Sequence, residues 1–162
     1  MILNTLILAL VTVERLLELP LARRNTKRLL ALGAREHAAR HYPLIVALHA
    51  AWLASLWWLA PSRPVHPMWL ALFILIEFGR IWVLATLGER WTTRIIVLHD
   101  APLVRRGPYR FSNHPNYVVV VAEILVLPLV FGLWQMALVF TLLNAAMLAV
   151  RIRAENRALG RT

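Results

Sequence analysis

Residues 116–150 run for 35 positions with a single charged side chain, Glu123. One crossing of a bilayer takes about 20 apolar residues, so the run is long enough for two. Pro128 and Gly132 interrupt it near the middle, which predicts two helices joined by a tight turn within residues 128–135. Three further apolar runs precede it, and the expected spans are about 1–22, 43–60, 67–88, 116–131 and 133–150. The reading is an all-α integral membrane protein, a single domain over 1–162 built as a bundle of about five transmembrane helices. Composition agrees: the chain is 60% hydrophobic and only 16% charged, against roughly 45–50% and 25% for a soluble domain. Residues 1–22 have no basic leading region and carry Glu14, Arg15 and Glu18 inside the apolar stretch, so they read as a helix and not as a cleaved signal peptide.

The formal net charge of +10 raises nucleic acid as a partner, but the distribution of the charge argues against it. The basic residues form three clusters between apolar runs, without interleaved aromatic stacking residues. Arg23, Arg24, Lys27, Arg28, Arg35 and Arg40 follow the first run; Arg90, Arg94, Arg105, Arg106 and Arg110 follow the third; Arg151, Arg153, Arg157 and Arg161 end the chain. On the opposite side only Arg63 falls, in a short Pro-rich turn. Five spans with the N-terminus outside put all three clusters in the cytoplasm, as the excess of Lys and Arg in cytoplasmic loops requires. The expectation is a multi-pass membrane protein with its basic loops in the cytoplasm.

The junction “RGPYRFSNHPNYVVVV” (residues 106–121) sets Gly107-Pro108, basic residues and His114-Pro115 against a run of valines. Pro115 suits the first turn of a helix, with Asn113 or His114 near the cap. A helix N-terminus presents free N–H groups and partial positive charge, a seat for a carboxylate. The same residues also suit an interfacial belt, with Tyr109 and Tyr117 at headgroup level and arginines on lipid phosphate. Arg151 and Glu155 share one helical face at i, i+4. They form a terminal salt bridge or, because the last two helices make a hairpin, return to the level of His114.

Charges inside the apolar runs are costly in lipid and belong in the bundle interior. Glu14, Arg15 and Glu18 lie together, and Glu77 and Arg80 are three apart, which reads as pairing that fixes helix packing. Glu123 has no opposite charge near it in sequence and so reads as a pocket-lining, acceptor-binding acid. With no Cys, there is no thiolate nucleophile or Cys-ligated metal. His37, His41, His49, His66 and His99 lack the HExxH spacing of a metal site, and none is expected. GxSxG, P-loop and GxGxxG patterns are absent.

“LVRRGPYRFSNHPNY”, an apolar hairpin and then “RIRAENRAL” resemble the isoprenylcysteine carboxyl methyltransferase (ICMT) family of integral membrane methyltransferases. The shared pattern is Gly-x-Tyr, HPxY, two helices, then Arg-x-x-x-Glu and a nearby Leu, over roughly residues 75–160. Related membrane phospholipid methyltransferases share the HPxY core. “LGERWTTRIIVLHDAPLVRRGPYRF” with “HPNYVVVVAEI” looks most like the short bacterial branch, associated with methylating long-chain polyketide products such as alkylpyrones. The resemblance implies S-adenosylmethionine (SAM) bound in a cytoplasmic core of about residues 89–160, roofed by residues 89–115. Carried over by position, Ala101, Pro102, Leu103, Val104, Tyr109, His114, Pro115, Asn116 and Tyr117 match the cofactor-binding stretches, and Arg94 aligns with a further contact. Glu155 matches a cofactor-binding acid, and Arg151 the catalytic arginine at the acceptor's reacting group. Asn113 stands where many members have Arg, and Asn156 where many have a second Glu. The C-terminal extension of eukaryotic members has no counterpart, which questions prenylated protein as a substrate; the expected partners are membrane lipid and a lipophilic small-molecule or lipid-anchored acceptor methylated on a carboxylate or hydroxyl oxygen.

These implications are chemically coherent. The SAM carboxylate suits a helix N-terminus or a cation, and its sulfonium suits acidic groups and aromatic faces. Methyl transfer is an in-line displacement that needs no metal; alignment supplies most of the acceleration. A phospholipid N-methyltransferase is the same-class alternative and would want an acid near the acceptor; a non-catalytic membrane scaffold is the other.

Overall fold

A computed structural model of the chain describes residues 1–98 and 101–160; His99 and Arg161 lie outside the described residues. Five α-helices account for most of it: α1 (Ile2–Ala31), α2 (Tyr42–Leu59), α3 (Pro67–Leu87), α4 (Pro115–Val130) and α5 (Trp134–Ala158). Proline opens α3 and α4 and sits second in α2, where its missing N–H has no intrahelical partner to lose. Gly88 (φ +52°) ends α3, and Gly132 (φ +67°) lies in the three-residue turn between α4 and α5. A Cβ on Gly132 would come 3.2 Å from His66 Nε2, so the turn needs glycine both for its backbone and for space.

Three helical stretches, Ala39–Leu59, Pro67–Arg90 and Trp134–Ala158, are long and apolar enough to cross a membrane. The expected five spans therefore divide. Helix α1 has the length, 30 residues, but carries Glu14, Arg15 and Glu18 in mid-helix. Helix α4 is apolar but has 16 residues, about 24 Å at 1.5 Å per residue. Helix α1 also continues past residue 22 to Ala31, so Arg23, Arg24, Lys27 and Arg28 lie on the helix and not in a loop. No helix breaker occurs between Pro20 and Gly33 to stop it.

The fold also holds two short strands that the helical reading did not contain. Strand β1 (Arg35–His37) pairs antiparallel with β2 (Ile95–Val97), with Glu36 opposite Ile96. The pair ties the α1–α2 connection to the segment between α3 and α4. The Arg94 guanidinium donates to Glu36 at 2.8 Å beside it.

Long-range hydrogen bonds define two ends. At one, Asn4 Nδ2 donates to the Ala60 and Arg63 carbonyls at 2.7 and 2.8 Å, and the His66 N–H to Val130 O at 2.8 Å. The start of α1, the α2–α3 turn and the α4–α5 turn thus meet there. At the other, Asn25 Nδ2 donates to Gly88 O and Trp91 O at 3.1 and 2.8 Å. The core (Leu8, Leu56, Ala60, Leu127, Val130 and Phe131, all 0% exposed) fills the first end, whereas the basic clusters gather at the second.

Candidate functional site

At the basic end the helices part around a cavity of about 900 Å³. Gly107 helps shape its roof. Its φ is +56°, and a Cβ there would sit 2.5 Å from Thr86 Oγ1 and 3.2 Å from Trp82 Nε1. Only glycine lets this turn close against α3, and the turn carries Tyr109 into the cavity wall. Burial, and then the Glu155 charge, push the Tyr109 hydroxyl above its ordinary value, so it remains a neutral donor. Arg90 Nη1 donates to Pro102 O at 2.6 Å, drawing residues 101–104 over the opening.

His114 caps α4 and Pro115 is its first residue. The His114 ring stacks on Tyr117 at 5.4 Å, and its Nε2 lies 3.1 Å from Asn156 Oδ1 on α5. Asn156, a departure from the resembled pattern, therefore serves as a neutral partner of His114. The Tyr117 hydroxyl donates to Glu155 Oε2 at 2.6 Å. Arg151 is 6% exposed, lies 5.9 Å over the Tyr117 ring, and donates through Nη2 to Thr93 O at 3.0 Å. Among the described residues no ion pair joins Arg151 to Glu155; Tyr117 of α4 engages Glu155, and the Thr93 carbonyl between α3 and α4 engages Arg151.

Among the described residues, Arg151 Nε and Asn116 Oδ1 are buried polar atoms on the cavity wall with no hydrogen-bond partner. Leaving such an atom unpaired costs about 1–3 kcal/mol, so a donor and an acceptor stand ready for a ligand. With the aromatic faces of Tyr109 and Tyr117, the Glu155 carboxylate and the α4 N-terminus, they suit a zwitterionic, positively charged sulfonium ligand.

Arg94, Ala101, Pro102, Leu103, Val104, Tyr109, His114, Asn116, Tyr117, Glu123, Arg151 and Glu155 all line this one cavity. Pro115 does not; it is buried beneath, as the first turn of α4. Arg94 lines it with its cation over the Tyr42 ring at 4.3 Å and its Nη1 paired with Glu36, so much of its bonding capacity is already used.

Glu123 requires a correction. It is not unpaired: Arg80 Nη1 meets its two oxygens at 3.0 and 2.9 Å, and Arg15 Nη2 lies 2.9 Å away. Its partners come from α1 and α3, which sequence distance concealed. Arg80 also grips Glu18 with two bonds of 2.6 Å, and Glu14 lies 3.4 Å from its Nε. Arg80 thus pairs across helices and not with Glu77, which approaches Arg15 at 3.9 Å. Residues singled out by no motif also line the cavity, among them Trp91, whose buried indole N–H lacks an acceptor, and His49 on α2. For His49 the signal was available: a histidine within a strongly apolar run.

The sequence profile of the isoprenylcysteine carboxyl methyltransferase (ICMT) family matches residues 69–161, more than half of the chain. The chain is 35% identical to the uncharacterized protein YpbQ of Bacillus subtilis, with 95% of each chain covered. It is 27% identical to an uncharacterized protein of Haemophilus influenzae, covering 90% of this chain and 88% of that one. No solved structure gives a significant match.

Proposed function

The chain belongs to the isoprenylcysteine carboxyl methyltransferase family, and on that premise we propose a SAM-dependent methyltransferase of the membrane. Its acceptor is a carboxylate or hydroxyl oxygen on a lipophilic molecule, isoprenylcysteine-like or a long-chain polyketide. The observation that carries the reading is the convergence of Tyr109, His114, Tyr117, Arg151 and Glu155 on one cavity, with Arg151 Nε unpaired on its wall.

In this reading residues 1–162 act as one domain. The α4 N-terminus and Asn116 hold the cofactor's polar end, while Tyr109, Tyr117 and Glu155 face its positive charge. Residues 94 and 101–104 complete the roof. When bound, SAM supplies a methyl group activated on a sulfonium. Arg151 orients the acceptor oxygen with its planar fork. Glu123 lies farther down the acceptor side, where Arg15 and Arg80 already neutralise it. That pairing disfavours an amine acceptor, which would want a free acid. All five helices traverse a bacterial inner membrane, with the basic end, and so the site, in the cytoplasm.

Calorimetry of SAM on detergent-solubilised protein tests the cofactor; micromolar binding is expected, and absence of binding reduces the protein to a scaffold. Labelled SAM incubated with membrane lipid extract tests the acceptor, and label on phospholipid amine would replace the oxygen reading. Because the chain has no Cys, Arg63→Cys tests topology. An impermeant thiol reagent should reach it from outside the cell; labelling only from the cytoplasm overturns the orientation.

A further inference from the structure

The cavity has two polar levels. The upper one holds Tyr117, Arg151 and Glu155. His49 is seven residues along α2 from Tyr42, and Glu123 is six along α4 from Tyr117. At 1.5 Å per residue they lie about 10.5 and 9 Å deeper along their helices. Side chains tilt toward the N-terminus of their helix, so those of α2 lean up from the lower level and those of α5, Arg151 included, lean down toward it.

His49 lies outside the family-matched residues and has no part in the cofactor site described above, yet it lines the cavity. Its Nδ1 lies 2.8 Å from the Ile45 carbonyl oxygen. A carbonyl only accepts, so Nδ1 carries the proton and Nε2 keeps a lone pair. One turn deeper on α2, Trp52 lines the same cavity at 2% exposure, and its indole N–H has no acceptor. A free acceptor nitrogen near a free N–H donor matches a hydroxyl, which both gives and takes a hydrogen bond. A carboxylate offers only lone pairs, and would set one against Nε2.

The charged groups that act on His49 are Arg15 from α1, Arg80 from α3 and Glu123 from α4; Glu18 from α1 and Arg151 from α5 line the same cavity. Glu18 and Glu123 are both held by guanidinium groups, Glu155 takes the Tyr117 hydroxyl, and His114 is engaged by Asn156. Among the described lining residues His49 is the base with no such commitment.

Resting on the methyltransferase reading above, we infer that His49 is the general base, taking the proton of an acceptor hydroxyl at Nε2. The O–H bond breaks with its proton passing to Nε2. The oxygen's electron pair forms the bond to the methyl carbon, and the carbon–sulfur bond of the sulfonium donor breaks with its pair left on sulfur. An imidazolium remains, close to the Glu123 carboxylate. A carboxylic acid, already ionised, leaves such a base idle. A simple alcohol holds its proton too tightly for imidazole, whereas a phenol, with a pKa of about 10 like tyrosine's, lies within reach.

The test uses the full chain with methyl-labelled SAM, membrane lipid extract, a long-chain alkylresorcinol as hydroxyl probe and palmitic acid as carboxylate probe. Alkaline hydrolysis sorts the wild-type products, since methyl ethers survive it and methyl esters release methanol. Base-stable label is expected; base-labile ester as the main product overturns the inference without any variant. His49→Gln should keep SAM affinity and lose about 10²-fold or more in turnover, together with the fall in rate that acidification causes in the wild type. Imidazole added to His49→Ala should restore turnover, which a merely structural role would not allow. Without SAM, the His49 ring-nitrogen NMR signals should shift on adding alkylresorcinol and not palmitic acid. Wild-type turnover in folded His49→Gln sinks the inference. Failure of the wild type to bind SAM removes the methyltransferase reading and this inference with it, whereas SAM binding with ester product removes the base alone.

Discussion

Where α2 turns into α3 and α4 into α5, Leu8, Leu56, Ala60, Val130 and Phe131 are fully buried, and Asn4 donates to two carbonyls. At the opposite end the same helices stand around about 900 Å³ of open space, with Arg151 Nε, Asn116 Oδ1 and the Trp91 indole N–H unpaired on its wall among the described residues. The unpaired atoms each cost about 1–3 kcal/mol, a cost the bundle carries because close packing at the closed end already fixes the helix directions. Between the two lies the ionic layer of Arg15, Glu18, Arg80 and Glu123. Stability belongs chiefly to one end and ligand chemistry to the other, and variants should separate the two.

The largest effect is expected in the layer between them. Arg80→Met leaves Arg15 as the one guanidinium against the two buried carboxylates of Glu18 and Glu123, a loss of about 3–5 kcal/mol that thermal melting in detergent should register. A variant melting like the wild type would mean that this layer does not hold the ends together. Next comes Arg151→Lys at the open end, which keeps charge but not the planar fork. Turnover should fall roughly 10²- to 10³-fold, the size of losing one positioned donor, while SAM affinity and melting temperature hold. If all three measurements fall in parallel, Arg151 is structural and its catalytic role is withdrawn.

Glu155→Gln sharpens the contrast within the open end. The amide oxygen can still accept from Tyr117, so folding should survive, but SAM affinity should drop by about 1.5–3 kcal/mol, the value of a hydrogen bond to a charged group. Asn4→Leu at the closed end should do the reverse. It leaves two carbonyls unsatisfied and lowers stability by about 1–2 kcal/mol, with cofactor affinity in the folded fraction unchanged. Weaker SAM binding in that variant would show the ends to be coupled, and the division between them would fail.

How far the site was legible depends on how local its signals are. Pro67 and Pro115 mark helix starts within one turn of chain, and Gly107 announces a backbone conformation that other residues avoid. The i, i+4 spacing of Arg151 and Glu155 and the α4–α5 hairpin together bring both residues to the level of His114. What escaped were relations among distant segments. The Arg15 and Arg80 partners of Glu123 arrive from other helices. Glu36 takes Arg94 because β1 pairs with β2, and three-residue strands are too short to declare a period of two.

From the sequence alone come the apolar runs, the helical hairpin, the one-sided basic clusters and the motif that gathers Tyr109, His114 and Tyr117. Each is written in neighbouring residues, through hydropathy, Pro and Gly geometry, or the 3.6-residue turn. Tertiary structure alone decided which charges neutralise one another, which polar atoms stay unpaired, and that His49 and Trp52 share a cavity with Arg151. Those outcomes depend on distances between helices. Burial raises the cost of an unpaired charge or hydrogen-bonding group only after the bundle has chosen what stands opposite it.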